Sequence, residues 1–481
     1  MNRLEKLPSL HRRDFLKLTA AGTALLGTSG FILPRDSMEM AEAAGAWIRH
    51  SSRETPFGHT WPVAPGVSDE EVLHLYSGTP GVILFLLELH HATGRPEYLR
   101  DAEAGARHLL SASAGGPGTP ELPDFGLYTG LAGVAYTLFE VFRVGGDQEL
   151  GKGAEAQVQR ILDAAKPLEE GVAWFESDPT QASYDIISGS AGIGLTLLYF
   201  HELWSDGSGE DAKPGDPGQS RLAARALEVA VQAGRLLGQR GRPALNGLKW
   251  PMSEAYPRLM PNFSHGTAGV AYFLARLHQV TGEDTFLAPA IYGAWYLENA
   301  SICDAQGGCR LFHHEPDGED LYYLGWCHGP VGTARHFVQM ARTTGEDAEY
   351  LKWVGQGTRG ILHQGIPQNR PDGYWNNVSQ CCGDAGMGDF FLSLHALTGS
   401  QDDLRFAQEL GEYLRGEATE EGDQARWVQA ENRTQPENVV AQTGWMQGAA
   451  GVGAFFLHLD GMEKGRKARV VFPDSPWRGF I

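Results

Sequence analysis

The chain has 481 residues, 42% hydrophobic and 20% charged, with a net charge of −20. That composition can bury a large core and rules out a predominantly disordered chain; the acidic balance speaks against nucleic acid or a polybasic hold on lipid, which need clustered Lys and Arg. Length alone suggests about three domains, a prior that an internal repeat overturns.

The first 45 residues read as a targeting region. Arg12-Arg13 precede a short, moderately apolar stretch from Leu18 to Leu33, and Ala41-Glu42-Ala43 has the small-residue form of a cleavage site. This is the pattern of a twin-arginine export signal and predicts export to the periplasm or outside the cell. The stretch is too short and too weakly apolar for a confident span, and nothing else approaches the roughly 20 apolar residues a span needs. No stable membrane span is therefore expected after signal removal, with an uncleaved anchor as the alternative. Residues 46–481 are expected to form a single domain.

From residue 77 onward one pattern, polar-Gly-x-x-Gly, recurs seven times, starting at Ser77, Thr129, Ser188, His265, His328, Cys382 and Gln447. An apolar run follows each, and in most repeats it ends at another glycine; Gly81 to Gly94, Gly133 to Gly146, Gly269 to Gly282, Gly332 to Gly345 and Gly386 to Gly399 share the separation 13. This spacing predicts a three- to four-turn helix closed by a glycine C-cap. Amphipathic stretches between them, such as Glu97–Leu110, Arg221–Leu237 and Leu404–Leu414, read as outer helices. The expected fold is all-α: an α/α toroid of seven helical hairpins with inner and outer helix rings, an open solenoid being the alternative. Segments 207–218 and 416–424 read as exposed insertions.

The side chains just before the first glycine of each repeat should share one end of the ring, and one position earlier stand Tyr76, Tyr128, Ile187, Ser264, Cys327, Cys381 and Met446. Repeats four to six thus bring His265, His328, Cys327, Cys381 and Cys382 into one arc. Three thiolates leave a fourth tetrahedral position open, and soft sulfur favours Zn²⁺; a vicinal disulfide or inert buried thiols are the alternatives. Cys303 and Cys309 are candidates for a small disulfide. His90, His278, His395 and His458 fall near inner-helix C-termini, where an imidazole suits the helix dipole, whereas His313 and His314 sit in a polar loop without a readable role.

At these residues, over roughly 70–460, the chain resembles the lanthionine synthetase C-like family. Trp326-Cys327-His328-Gly329 and Cys381-Cys382-Gly383 match the family's zinc motifs, with Cys382 where most members have His. Ser264-His265-Gly266 matches its histidine motif and Asp185 its acidic residue in repeat three. His328 stands where Tyr is common, and Tyr323 where Arg is usual. The resemblance implies a zinc-dependent, thioether-forming cyclase acting on a peptide or small thiol, with Cys327, Cys381 and Cys382 on the metal and His265, Asp185 and His328 as catalytic candidates. Two other functions stay open: an exported glycan-active toroid using Asp185 and Asp384, and a non-catalytic toroid that binds a thiol or peptide.

Overall fold

The computed structural model describes residues 35–114, 122, 124–205, 217–369, 374–375 and 377–477. Seven inner helices, Thr79–Thr93, Leu131–Gly145, Ser190–Ser205, Thr267–Thr281, Pro330–Thr344, Asp384–Thr398 and Ala449–Lys464, each pack against one outer helix. The first eleven residues of Thr79–Thr93 are all buried; its partner Pro96–Ser113 buries only a stripe containing Tyr98, Ala102, Ala106 and Leu109, as an outer helix must. The α/α toroid is thereby established. Six of the seven inner helices end on a left-handed glycine cap, for example Gly94 at φ 69° and Gly282 at φ 71°.

The opening glycines act through close approach alone. Gly266 is extended, but a Cβ on it would lie 1.8 Å from Met260 O; one on Gly332 would lie 1.8 Å from Trp326 O. Each loop therefore curls tightly over its own helix start. The seven loops join through backbone hydrogen bonds into a closed ring: Tyr76 N to Tyr128 O, Tyr128 N to Ile187 O, Ile186 N to Ser264 O, Ser264 N to Cys327 O, Cys327 N to Cys381 O, Cys381 N to Met446 O and Met446 N to Tyr76 O, at 2.9–3.1 Å. This ring decides for closure over a solenoid.

The outer helix of the seventh hairpin comes from the other end of the chain. Ser37–His50 packs on Ala449–Lys464 with Met40, Ala41, Ala44 and Ile48 fully buried, and Glu42 and Arg49 pair with Arg95 and Asp101. The compact unit thus starts at Ser37, not at residue 46, and Ala41-Glu42-Ala43 lies inside a packed helix. Its alanines are small because the helices approach closely there. The twin-arginine region before residue 35 lies outside the described residues. Truncation to residue 51 is expected to abolish cooperative unfolding in a thermal melt, since Met40, Trp47 and Ile48 alone represent about 2 kcal/mol of burial each.

Short hairpins follow most outer helices. The 416–424 segment belongs to one of them, Thr419–Glu421 paired with Gln424–Arg426, while 207–218 falls almost entirely outside the described residues. Trp174, Trp250 and Trp427, just after three such hairpins, donate Nε1–H to Ile161, Leu237 and Leu414 carbonyls at 2.9, 2.7 and 2.7 Å, tying each hairpin to its helix. Cys303 and Cys309 are disulfide-bonded.

Beyond the last inner helix the chain turns back into the lumen as a strap. Val470 N donates to Glu88 Oε1, Arg469 pairs with Glu140, and fully buried Asp474 accepts from Tyr128 Oη–H and Arg335. Phe472 packs among Tyr128, Tyr136 and Trp445. His90, His278 and His395 donate Nδ1–H to the carbonyls of Arg95, Glu283 and Ser400, the structural role expected. His458 differs: it faces the lumen, 2.8 Å from Asp389 and 3.9 Å from Glu88. Burial opposes its charge, but the two carboxylates hold its pKa up to about 10, from 6.5. A raised imidazole pKa stabilises the fold below the unfolded value and loses that contribution as pH rises through the folded one. The stability advantage of wild type over His458→Gln, from denaturant melts, should be a few kcal/mol near neutral pH, decline as pH rises above 6.5 and be lost by about 10.

Candidate metal centre

The backbone ring places Cys327 beside Cys381, and Cys382 N is held by Ser379 Oγ at 3.2 Å. Cys327 Sγ lies 3.2 Å from Cys382 Sγ, which lies 3.4 Å from Cys381 Sγ; all three are buried, unbonded thiols within 4.8 Å of one another. The vicinal disulfide is therefore not formed. Three converging soft donors fit a thiophilic divalent ion, and no other cluster of metal-ligating side chains of this kind occurs among the described residues. Burial raises the Cys381 thiol, but hydrogen bonds from Cys327, Cys382 and Tyr76, with His265 nearby, bring it well below the ordinary thiol value. Burial and the bonds to its two partners push Cys327 well above it.

The thiols face a cavity of about 290 Å³ whose walls include Tyr76, His265, His313, Tyr323, His328 and Glu431. Two smaller cavities, about 80 and about 180 Å³, lie in the lumen beside the strap.

His265 is oriented from behind. Its Nδ1 lies 2.5 Å from Oδ2 of Asp185, which is fully buried and whose Oδ1 accepts Ser188 N at 2.9 Å. Burial opposes protonation of His265, yet the Asp185 bond and charge, with Cys381, raise its pKa above the ordinary value. His328 behaves oppositely. It stacks on His313 at 3.9 Å between ring centroids and lies 5.6 Å from His265; burial first, then its histidine neighbours, lower its pKa well below the ordinary value. Burial, then His314 and Arg433, bring His313 down to about 3. The stacked pair is neutral at neutral pH, whereas His265 is disposed to hold a proton.

All six residues singled out from the sequence therefore gather at one end of the ring, five lining the cavity and Asp185 behind His265. Tyr76, His313 and Glu431 were not singled out, although Tyr76 shares its register position with Cys327 and Cys381. Tyr323, noted only as a replacement for Arg, is a wall residue as well. His313 and Glu431 enter on loops outside the repeat and carry no periodic signal.

A profile of the lanthionine synthetase C-like protein family matches residues 70–472. The chain belongs to that family. Among solved structures this family member is similar to a nisin cyclase, with 17% identity, TM-score 0.58, and 91% of this chain and 95% of the other covered. It is also similar to a sugar epimerase from a ruminal bacterium (12% identity, TM-score 0.46, 89% and 98% covered) and to the α-1,6-mannanase of a Salegentibacter species (15%, 0.40, 68% and 88%). The likeness to the nisin cyclase shows the fold alone. No curated protein matches the chain in sequence.

Proposed function

We propose that this is an exported zinc-dependent enzyme that adds a thiol of a peptide or small molecule to a dehydroamino acid or similar acceptor, forming a thioether. Membership of the lanthionine synthetase C-like family and the likeness to a nisin cyclase support this reaction class. The observation that carries the reading is the placement of three buried free thiols and the His265–Asp185 pair on one cavity.

Cys327, Cys381 and Cys382 would hold the metal. Zinc bound there supplies Lewis acidity that lowers the pKa of a substrate thiol near neutral pH. The substrate sulfur passes its proton to solvent water and bonds to the acceptor's β-carbon, and the C=C electron pair moves to the α-carbon. His265, kept protonated by Asp185, donates its proton to the α-carbon and is recharged from solvent, so protons balance and no oxidant or reductant is needed. His328 and His313, neutral and stacked, form a wall that orients the acceptor. Neither Asp185 nor Asp384 is among the cavity-lining residues, and the two carboxylates a glycosidase sets across one bond are not presented there. Among the described residues no helix is long and apolar enough to cross a membrane; the twin-arginine motif supports export of a protein folded around its metal before translocation.

The test is mass spectrometry on a dehydrated, cysteine-containing peptide incubated with the protein and then treated with a thiol-blocking reagent. Cyclised product has the peptide's own mass but no longer takes the label. Full labelling at every protein concentration, with zinc bound, would leave a thiol-binding toroid without catalysis.

A further inference from the structure

We propose that Tyr76 is a positioning residue of the metal centre, whose phenol donates a hydrogen bond to Cys381 and withdraws charge from that thiolate. The inference rests on the zinc reading above. Tyr76 Oη lies 3.1 Å from Cys381 Sγ, contributed by the first and sixth repeats, and accepts Gln447 Nε2–H at 2.8 Å. Gln429 Nε2 in turn donates to Gln447 Oε1 at 3.2 Å and to its backbone carbonyl. Both glutamines are buried, and Gln429 Oε1 is engaged by Val378 N. The relay thus runs one way, each donor polarising the next, and ends on sulfur.

Ring architecture does not require this contact. The loops join through backbone atoms, and Tyr128, at the same register position in repeat two, turns its hydroxyl to Asp474 instead. What requires a donor is charge: a divalent ion with three thiolates is net anionic, and in a buried site that excess is stabilised by hydrogen bonds to sulfur. With Cys381 a weaker electron donor, the ion stays more electron-poor and a thiol taking the open position is more acidic. Tyr76 therefore favours deprotonation of the substrate thiol at neutral pH.

The experiment uses the full chain loaded with Co²⁺ in place of zinc. Tyr76→Phe keeps the ring and backbone and removes only the hydroxyl. Its thiolate-to-cobalt charge-transfer bands should move to lower energy, and its zinc affinity, read by chelator competition, should fall about tenfold. Gln447→Met, which removes the donor to Tyr76, should shift the bands the same way by less. A natively folded Tyr76→Phe with unchanged bands and affinity would overturn the proposal; if that variant does not fold, unchanged bands in Gln447→Met would do so. Wild-type protein without cobalt–thiolate absorption would instead overturn the zinc reading itself.

Discussion

Replacing Cys381 and Cys382 together by alanine is expected to strip bound zinc from the purified protein and to reduce thioether formation to the uncatalysed rate. These residues are two of the three converging sulfurs, and Cys327 alone cannot hold a thiophilic ion against water and buffer. The fold should survive, because the ring linking repeats five to seven is made by backbone N–H and C=O groups that the substitutions leave in place. Metal analysis and a thermal melt separate the two effects. Loss of zinc with a retained melt supports a centre whose main role is chemical; unchanged zinc would show that the ion sits elsewhere.

The second large effect concerns proton transfer. His265→Gln should lower the rate of thioether formation by about 10²–10⁴-fold, the range for loss of a positioned acid, while zinc content stays at the wild-type level. Asp185→Asn should fall in the same direction by a smaller factor, because it keeps the shape of the pocket but removes the charge that raises His265. The pH profile carries the sign. His265 acts as a protonated acid with its pKa raised, so activity should decline on the alkaline side, and in Asp185→Asn that decline should begin at lower pH. An unchanged alkaline limb in Asp185→Asn would show that the pair is structural.

How much of this is legible in the sequence depends on whether a residue belongs to the repeat. The seven inner helices are readable because each opens where a Cβ would strike a backbone carbonyl and most close on a left-handed cap, so glycine marks both ends. The arc of Cys327, Cys381, Cys382, His265 and His328 follows from register. Ser37–His50 is not readable in this way, since its partner lies at the far end of the chain and its small residues imitate a cleavage site. The strap of Arg466–Trp477 is equally hidden: its partners Glu88, Glu140 and Arg335 are spread over three inner helices. His313 and Glu431 reach the cavity on loops, where no period exists to reveal them.

The toroid therefore uses a backbone ring to align side chains from distant repeats, and the strap fills the lumen behind them. On the proposed reading, Cys327, Cys381 and Cys382 share one zinc ion and leave one position open. X-ray absorption at the zinc edge of the purified native protein tests it most directly. The expected result is one zinc per chain surrounded by three sulfurs at about 2.3 Å and a single lighter atom at about 2.0 Å. A shell of nitrogen and oxygen alone, or the absence of zinc from protein prepared without chelator, would contradict it.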